Sequence, residues 1–143
     1  MVEVLTMARV LVVDDNRDGA DMLSLLLQTW GYETATAYSG MSALEVADTF
    51  EPDVVLLDLA MPGMSGVEVA RRLRSQPGNR LVHLVALSGY GRTKDKIEAS
   101  QAGFDCYLLK PVDDETLRAV LERYDPKTAV QEALSMMYRA QIP

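Results

Sequence analysis

The stretch Val54-Val55-Leu56-Leu57-Asp58-Leu59-Ala60-Met61-Pro62-Gly63 decides the architecture: a branched apolar run closes on an aspartate, and a Met-Pro-Gly turn follows. A short continuous apolar run bounded by turn residues reads as a strand covered on both faces. Three further runs have the same shape: Val10 to Val13 closes on Asp14 and Asp15, Leu84 to Leu87 on Ser88, and Tyr107 to Leu109 on Lys110. The stretches between them carry apolar residues three or four apart, so strand and helix alternate and the sheet is parallel. In such sheets ligands bind outside the carboxyl ends of the strands, where these five polar residues converge.

Strands are expected at 8–14, 32–37, 53–58, 81–87 and 105–109, the second of them weak and at an edge. Ala20, Leu23, Leu27 and Trp30 form the apolar stripe of the first helix, with Gly31 as its stop, and Met41, Leu44, Ala47 and Phe50 form that of the second, ended by Glu51-Pro52. Ser65 and Glu68 make a capping-box pattern that starts the third helix, which runs to about Ser75 before Pro77-Gly78-Asn79 breaks the chain. The fourth helix, 92–102, offers only Ile97, Ala99 and Ala102 as apolar anchors among many charges, which predicts loose attachment. The fifth starts on Asp113 and carries Leu117, Val120, Leu121 and Tyr124. The expectation is an α/β, flavodoxin-like, doubly wound fold: five parallel strands in the order 2-1-3-4-5 with five helices.

At 143 residues with 48 % hydrophobic content the chain suits one domain. A net charge of -7 and a pI near 4.6 argue against a surface that tracks phosphates, so no nucleic acid is expected as a direct partner. The single cysteine, Cys106, has no disulfide partner within the chain and reads as a buried strand thiol, which suits a reducing compartment. No apolar run reaches the ~18 residues that span a bilayer, and the start Met1-Val2-Glu3 lacks the features of a signal peptide. These features predict a cytoplasmic protein with no membrane partner. The lone histidine, His83, has no acid or cysteine neighbour in sequence and is read as structural.

Two like charges about 4 Å apart repel by ~4 kcal/mol at an effective dielectric near 20, so clustered carboxylates need neutralising. A hard divalent cation answers that need: Mg²⁺ takes one or two carboxylates, keeps several waters and completes its octahedron with phosphate oxygens. Lys110 adds a second positive charge. An aspartate beside both can attack phosphorus and form an acyl phosphate, and Asp58, on the central strand, is best placed to do so. The Ser88 hydroxyl can donate to a phosphoryl oxygen.

Four motifs, in order, carry a resemblance across residues 8 to about 124. They are Val12-Val13-Asp14-Asp15-Asn16, Leu56-Leu57-Asp58-Leu59-Ala60-Met61-Pro62-Gly63-Met64-Ser65-Gly66, Ala86-Leu87-Ser88-Gly89 and Tyr107-Leu108-Leu109-Lys110-Pro111. Together they resemble the receiver domain of bacterial two-component response regulators, and Ala86 to Gly91 resembles the receivers of hybrid histidine kinases.

The resemblance implies that Asp58 is the phosphoacceptor, with Mg²⁺ held by Asp15, Asp58 and the Ala60 carbonyl and with Asp14 acting through water. It makes Lys110 the partner of the phosphoryl group, Ser88 the switch hydroxyl and Tyr107 the aromatic that follows it, and it makes the Lys110–Pro111 bond cis. Ala60 and Tyr90 fall at positions that border the path of hydrolytic water. Neither orients water, and the Tyr90 ring stands in its way, so slow self-dephosphorylation is expected.

The implied partners are a histidine kinase or histidine phosphotransfer protein as donor and a downstream protein as target. The protein would be a monomer or a phosphorylation-linked dimer that catalyses only its own phosphorylation and dephosphorylation. Helix four, strand five and helix five would form the surface that changes. Residues 1–7 read as an N-terminal extension. Residues 125–143 read as a helical tail whose stripe, Val130, Leu134, Met136 and Met137, could pack on the same domain, pair with a partner helix or belong to a linker, the first being favoured.

Each residue has a plainer reading taken singly: Asp14, Asp15 and Asn16 as helix caps, Asp58 as a turn residue, Ser88 as a loop hydroxyl, Lys110 as a solvated charge. Their coincidence at four strand ends favours the joint reading. The alternative function is a metal-dependent phosphohydrolase with an aspartyl-phosphate intermediate, but such enzymes carry an Asp-x-Asp motif on the first strand and a cap, and this chain shows neither. A flavodoxin-like cofactor binder needs a glycine- or hydroxyl-rich first loop, where Asp14-Asp15-Asn16 would repel phosphate.

Overall fold

The computed structural model describes residues 8–79, 81–124 and 133–139. Strands β1 (Arg9–Val13), β2 (Glu33–Ala37), β3 (Val54–Asp58), β4 (His83–Ser88) and β5 (Cys106–Leu109) form one parallel sheet in the order β2-β1-β3-β4-β5. Helices α1 (Arg17–Thr29), α2 (Gly40–Phe50), α3 (Gly66–Ser75), α4 (Thr93–Ala102) and α5 (Asp114–Arg123) cover it. The expected strand order and doubly wound architecture are those observed.

Strand periodicity divides the core in two. Leu11, Val13, Val55, Leu57, Leu84 and Ala86 point to the side packed by α2, α3 and α4, whereas Val10, Val12, Val54, Leu56, Val85 and Leu87 face α1 and α5. Both sides of β3, and of β1 from Val10 onward, are buried, which is why these strands read as unbroken apolar runs.

The helices begin on side-chain caps. Asn16, Ser39, Ser65 and Asp113 accept from the amides of Gly19, Ser42, Glu68 and Thr116. The Ser65 cap fits the expected box, although Glu68 turns outward to Arg72 at 3.1 Å. α4 is the exception: its cap position is Arg92, which makes no side-chain cap bond.

Several local expectations are corrected. β4 starts at His83, two residues later than expected, and Leu81 is 89 % exposed. α2 buries Ala43 and Ala47, while Met41 is exposed. Leu44 and Phe50 of the expected stripe pack half-buried against the same core. The start of the helix lies close to its neighbours: a Cβ on Gly40 would fall 2.8 Å from the Met64 Cβ. Ile97 of α4 is 52 % exposed, leaving Ala99 and Ala102 as the buried anchors.

Cys106 is half-buried because β5 is an edge strand, and burial there pushes its thiol pKa up. Pro77–Asn79, expected as a simple break, forms a 3-10 turn. Residues 133–139 are helical, but Leu134, Met136, Met137 and Tyr138 are exposed, so the expected packing of this stripe on the domain is not observed. Residues 1–7 and Val130 lie outside the described residues.

Candidate functional site

The sheet ladder continues past the strand ends and fixes the polar residues. The Asp14 amide donates to the Ala37 carbonyl at 3.1 Å, Leu59 to Leu87 at 3.1 Å and Lys110 to Ser88 at 2.8 Å. Neighbouring strand ends are thereby held in register, so side chains up to 96 positions apart in sequence meet above one edge of the sheet.

Asp58 closes β3 and is only 5 % exposed. Its Oδ1 accepts from the Ala60 amide at 3.1 Å, and its Oδ2 lies 3.3 Å from the Lys110 Nζ. Lys110 also reaches the Asp14 Oδ2 at 3.5 Å. Asp14 accepts from the Asn16 amide at 3.0 Å, which turns the chain from β1 into the α1 cap.

Burial pushes the Asp58 carboxyl pKa above the ordinary aspartate range, and the adjacent Asp14 adds to the rise. The Ala60 amide and the Lys110 ammonium oppose it. By geometry, three carboxylates, Asp14, Asp15 and Asp58, share this strand-end cluster with the Lys110 ammonium.

Asp14, Asp15 and Asp58 each offer a carboxylate oxygen, all within 4.8 Å of one another. An all-oxygen set of this span suits a hard divalent ion that binds some carboxylates directly and others through water. Asp14 and Asp15 differ in access, Asp14 being half-buried and Asp15 exposed, so Asp15 is the more open of the two to solvent.

Ser88 is buried at the end of β4, and its Oγ accepts from the Tyr90 amide at 3.1 Å and donates to the Tyr90 carbonyl at 3.4 Å. The Tyr107 hydroxyl donates to that same carbonyl. Sequence reasoning placed Ser88 and Tyr107 near one another but missed the shared acceptor, because a backbone oxygen leaves no mark in residue identity. The Tyr90 side chain is 59 % exposed, with the Arg92 guanidinium over its ring at 5.2 Å. With Ala60 and Ser88 it lines a cavity of about 250 Å³ beside the carboxylates.

The Lys110–Pro111 bond is cis, as the resemblance implied. Gly66, quoted in the second motif without a role, matters through contact: a Cβ there would lie 2.4 Å from the Asp58 carbonyl oxygen and 2.8 Å from the Leu59 Cα. Only glycine lets α3 start this close to the end of β3. His83, read as structural, stacks on Tyr124 with ring centroids 4.3 Å apart. A larger cavity, about 480 Å³ and lined by Asp48, Glu51 and Asp53, lies at the amino ends of β3 and β4, away from the Asp58 pocket. No helix among the described residues is long and apolar enough to cross a membrane.

Comparison with known proteins gives a consistent picture. The response regulator receiver domain family matches residues 10–122. The DNA-binding response regulator MtrA of Mycolicibacterium paratuberculosis is 39 % identical over 125 residues, which cover 85 % of this chain and 54 % of that protein. The response regulator PleD of Caulobacter vibrioides is 38 % identical over 112 residues, covering 78 % and 25 % respectively. The chain thus spans about half the length, or less, of these curated relatives.

Among solved structures, the chemotaxis protein CheY4 of Vibrio cholerae is similar with a TM-score of 0.80 at 35 % identity, covering 83 % of this chain and 99 % of that one. The receiver domain of a Pseudomonas aeruginosa sensor histidine kinase, with a magnesium ion coordinated in its active site cleft, has a TM-score of 0.76 at 28 % identity, covering 83 % and 98 %. Sequence motifs, strand order and strand-end geometry agree with these matches, and the chain belongs to the response regulator receiver domain family of two-component signalling.

Proposed function

We propose that Asp58 accepts a phosphoryl group from a phosphohistidine of a histidine kinase or a histidine phosphotransfer protein. A carboxylate oxygen of Asp58 attacks phosphorus, the P–N bond to the donor imidazole breaks, and an acyl phosphate forms. The observation that carries this reading is the buried Asp58 carboxylate, 3.3 Å from the Lys110 ammonium and clustered with Asp14 and Asp15.

Asp15, Asp58 and the Ala60 carbonyl would hold Mg²⁺, with Asp14 acting through water. When bound, the ion would supply positive charge to the phosphoryl oxygens. Lys110 serves the same end from the β5 side. Ser88 turns its hydroxyl from the Tyr90 carbonyl to a phosphoryl oxygen, and Tyr107, bonded to that same carbonyl, follows the loop. The surface of α4, β5 and α5 then changes its affinity for a downstream protein.

Residues 8–124 form the receiver unit in this reading, with 1–7 as an extension and 125–143 as a tail. That unit acts by protein contact in the cytoplasm, as a monomer or a phosphorylation-linked dimer, and turns over no separate substrate. The acidic charge of the chain supports the absence of direct nucleic-acid contact, although the MtrA relatives are DNA-binding regulators by name. The small side chain at Ala60 and the Tyr90 ring beside it support slow self-dephosphorylation.

The test is incubation with Mg²⁺ and acetyl phosphate or beryllofluoride, followed by mass mapping. Modification at Asp58, absent after chelation and in Asp58→Asn, is the expected result. Steady turnover of a small phosphate ester, abolished by Asp58→Asn, would replace this reading with the phosphohydrolase one.

A further inference from the structure

The two ends of α4 are held very differently. At its carboxyl end Gly103 adopts φ +104° and its amide donates to the Ala99 and Ser100 carbonyls, Phe104 is buried and donates to Ala99 at 3.1 Å, and the Asp105 amide joins the Leu84 carbonyl at 2.8 Å. The buried residues of the helix, Ala99 and Ala102, lie in this half. At the amino end Arg92 provides no side-chain cap, Thr93, Lys94, Lys96 and Ile97 are exposed, and Asp95 and Glu98 border open cavities of about 250 and 470 Å³ on the side of α3.

One side chain from outside the helix accounts for much of the asymmetry. Arg74, in the last turn of α3, donates from Nε and Nη2 to the Gly103 carbonyl at 3.0 and 2.9 Å, from Nη2 to the Asp105 carboxylate at 2.7 Å, and from Nη1 to the Val82 carbonyl. The Asp105 carboxylate in turn accepts from the Leu84 amide at 2.8 Å. A planar guanidinium can serve three divergent acceptors at once; an ammonium cannot hold that geometry. Its base is firm, because Val69, Ala70 and Leu73 bury the rest of α3. The fit at the contact is close, since a Cβ on Gly103 would lie 2.8 Å from the Arg74 Cγ.

We propose that Arg74 is the pivot of α4. It fixes the carboxyl end of the helix to α3 and to the starts of β4 and β5, so that rearrangement of the Ser88–Tyr90 loop swings the amino end alone. The open space beside Asp95 and Glu98 accommodates that swing. Arg74 is a positioning residue: it touches no reacting atom, and it confines the motion to the half of α4 next to the site. The trigger rests on the phosphoacceptor reading above, whereas the pivot is a property of the unmodified protein.

Amide hydrogen exchange on the full chain tests it. In the unmodified protein Arg74→Met is expected to speed exchange at residues 99–105 by ~10-fold while leaving 93–98 within about twofold of the original. An equal acceleration of both halves, as plain loss of stability would give, overturns the proposal, and so does no change at 99–105. With Mg²⁺ and beryllofluoride, changes in α4 should stop at residue 98 in the parent protein and extend through 105 in Arg74→Met; a parent response spread evenly over the helix overturns it.

Should Arg74→Met fail to melt cooperatively, Arg74→Lys and Gly103→Ala serve instead. Each is expected to loosen 99–105 selectively, and a uniform or absent effect in both counts against the pivot. Failure of Asp58 to be modified would sink the phosphoacceptor reading while leaving the exchange contrast of the unmodified protein intact. The two failures are therefore distinguishable.

Discussion

Helices α3 and α4 lie side by side on one face of the sheet and are built on opposite plans. α3 has a serine cap, an acid in its first turn, two arginines in its last, and four buried residues, Gly66, Val69, Ala70 and Leu73. α4 has the same length but an uncapped start, and only two alanines reach the core. Burial of large apolar side chains contributes ~1.5–3 kcal/mol each, and alanines contribute far less. Two helices of equal length can therefore differ by several kcal/mol in attachment. In the proposed reading the contrast keeps the chemistry rigid and the reporting surface movable: α3 starts against the backbone of Asp58 at the end of β3, and α4 is anchored chiefly at its far end.

The most severe break of the contrast is removal of an α3 anchor. Leu73→Ala should cost about 2–5 kcal/mol in chemical denaturation, through lost burial and a residual cavity. Next comes Gly66→Ala, whose added methyl meets the backbone of Asp58 and Leu59 and should cost about 1–3 kcal/mol. It should also slow acetyl-phosphate labelling of Asp58, because the strand end must shift to admit it. Ser65→Ala, which removes the α3 cap, should cost about 1 kcal/mol, read from the same unfolding curves. On α4, Ile97→Ala should change stability by less than about 0.5 kcal/mol, and a loss as large as that of Leu73→Ala would erase the distinction.

The finest test concerns sign, at the strand end on which α3 is seated. The pKa of Asp58 is raised in the folded protein by burial, so its protonated form is the one that suits the fold. The contribution of this group to stability is complete below the unfolded aspartate value of about 3.9 and is lost as pH rises through the raised folded value. Asp58→Asn should therefore raise the Tm of the metal-free protein at neutral pH, with the gain fading as pH falls toward 4. A gain that grows on acidification would show that Lys110 outweighs desolvation.

Much of this was readable in one dimension. The branched apolar runs ending on Asp14, Asp58, Ser88 and Lys110 announced both the strands and the site, because a parallel sheet delivers its carboxyl ends to one edge. The caps at Ser65 and Asp113 were equally plain, being local patterns of three or four residues. Helix faces were less so. Met41 and Ile97 have the right spacing to be buried and are exposed; on α2 the expected Ala47 is buried and Leu44 and Phe50 pack half-buried, while Ala43, outside the expected stripe, is buried as well. Spacing reports which residues share a face, but the distance between packed elements decides which sizes fit.

What the sequence by itself determined about this protein is therefore the alternation of strand and helix, the acidic pocket and its ammonium, since each follows from short-range periodicity and from residue chemistry. Only the tertiary structure decided that Arg74 would hold Gly103, 29 positions away, that Ser88 and Tyr107 would share the Tyr90 carbonyl, and that Gly66 would sit against the Asp58 backbone. Those contacts join backbone atoms, which are the same in every residue, across separations set by packing, so no local pattern of side chains encodes them.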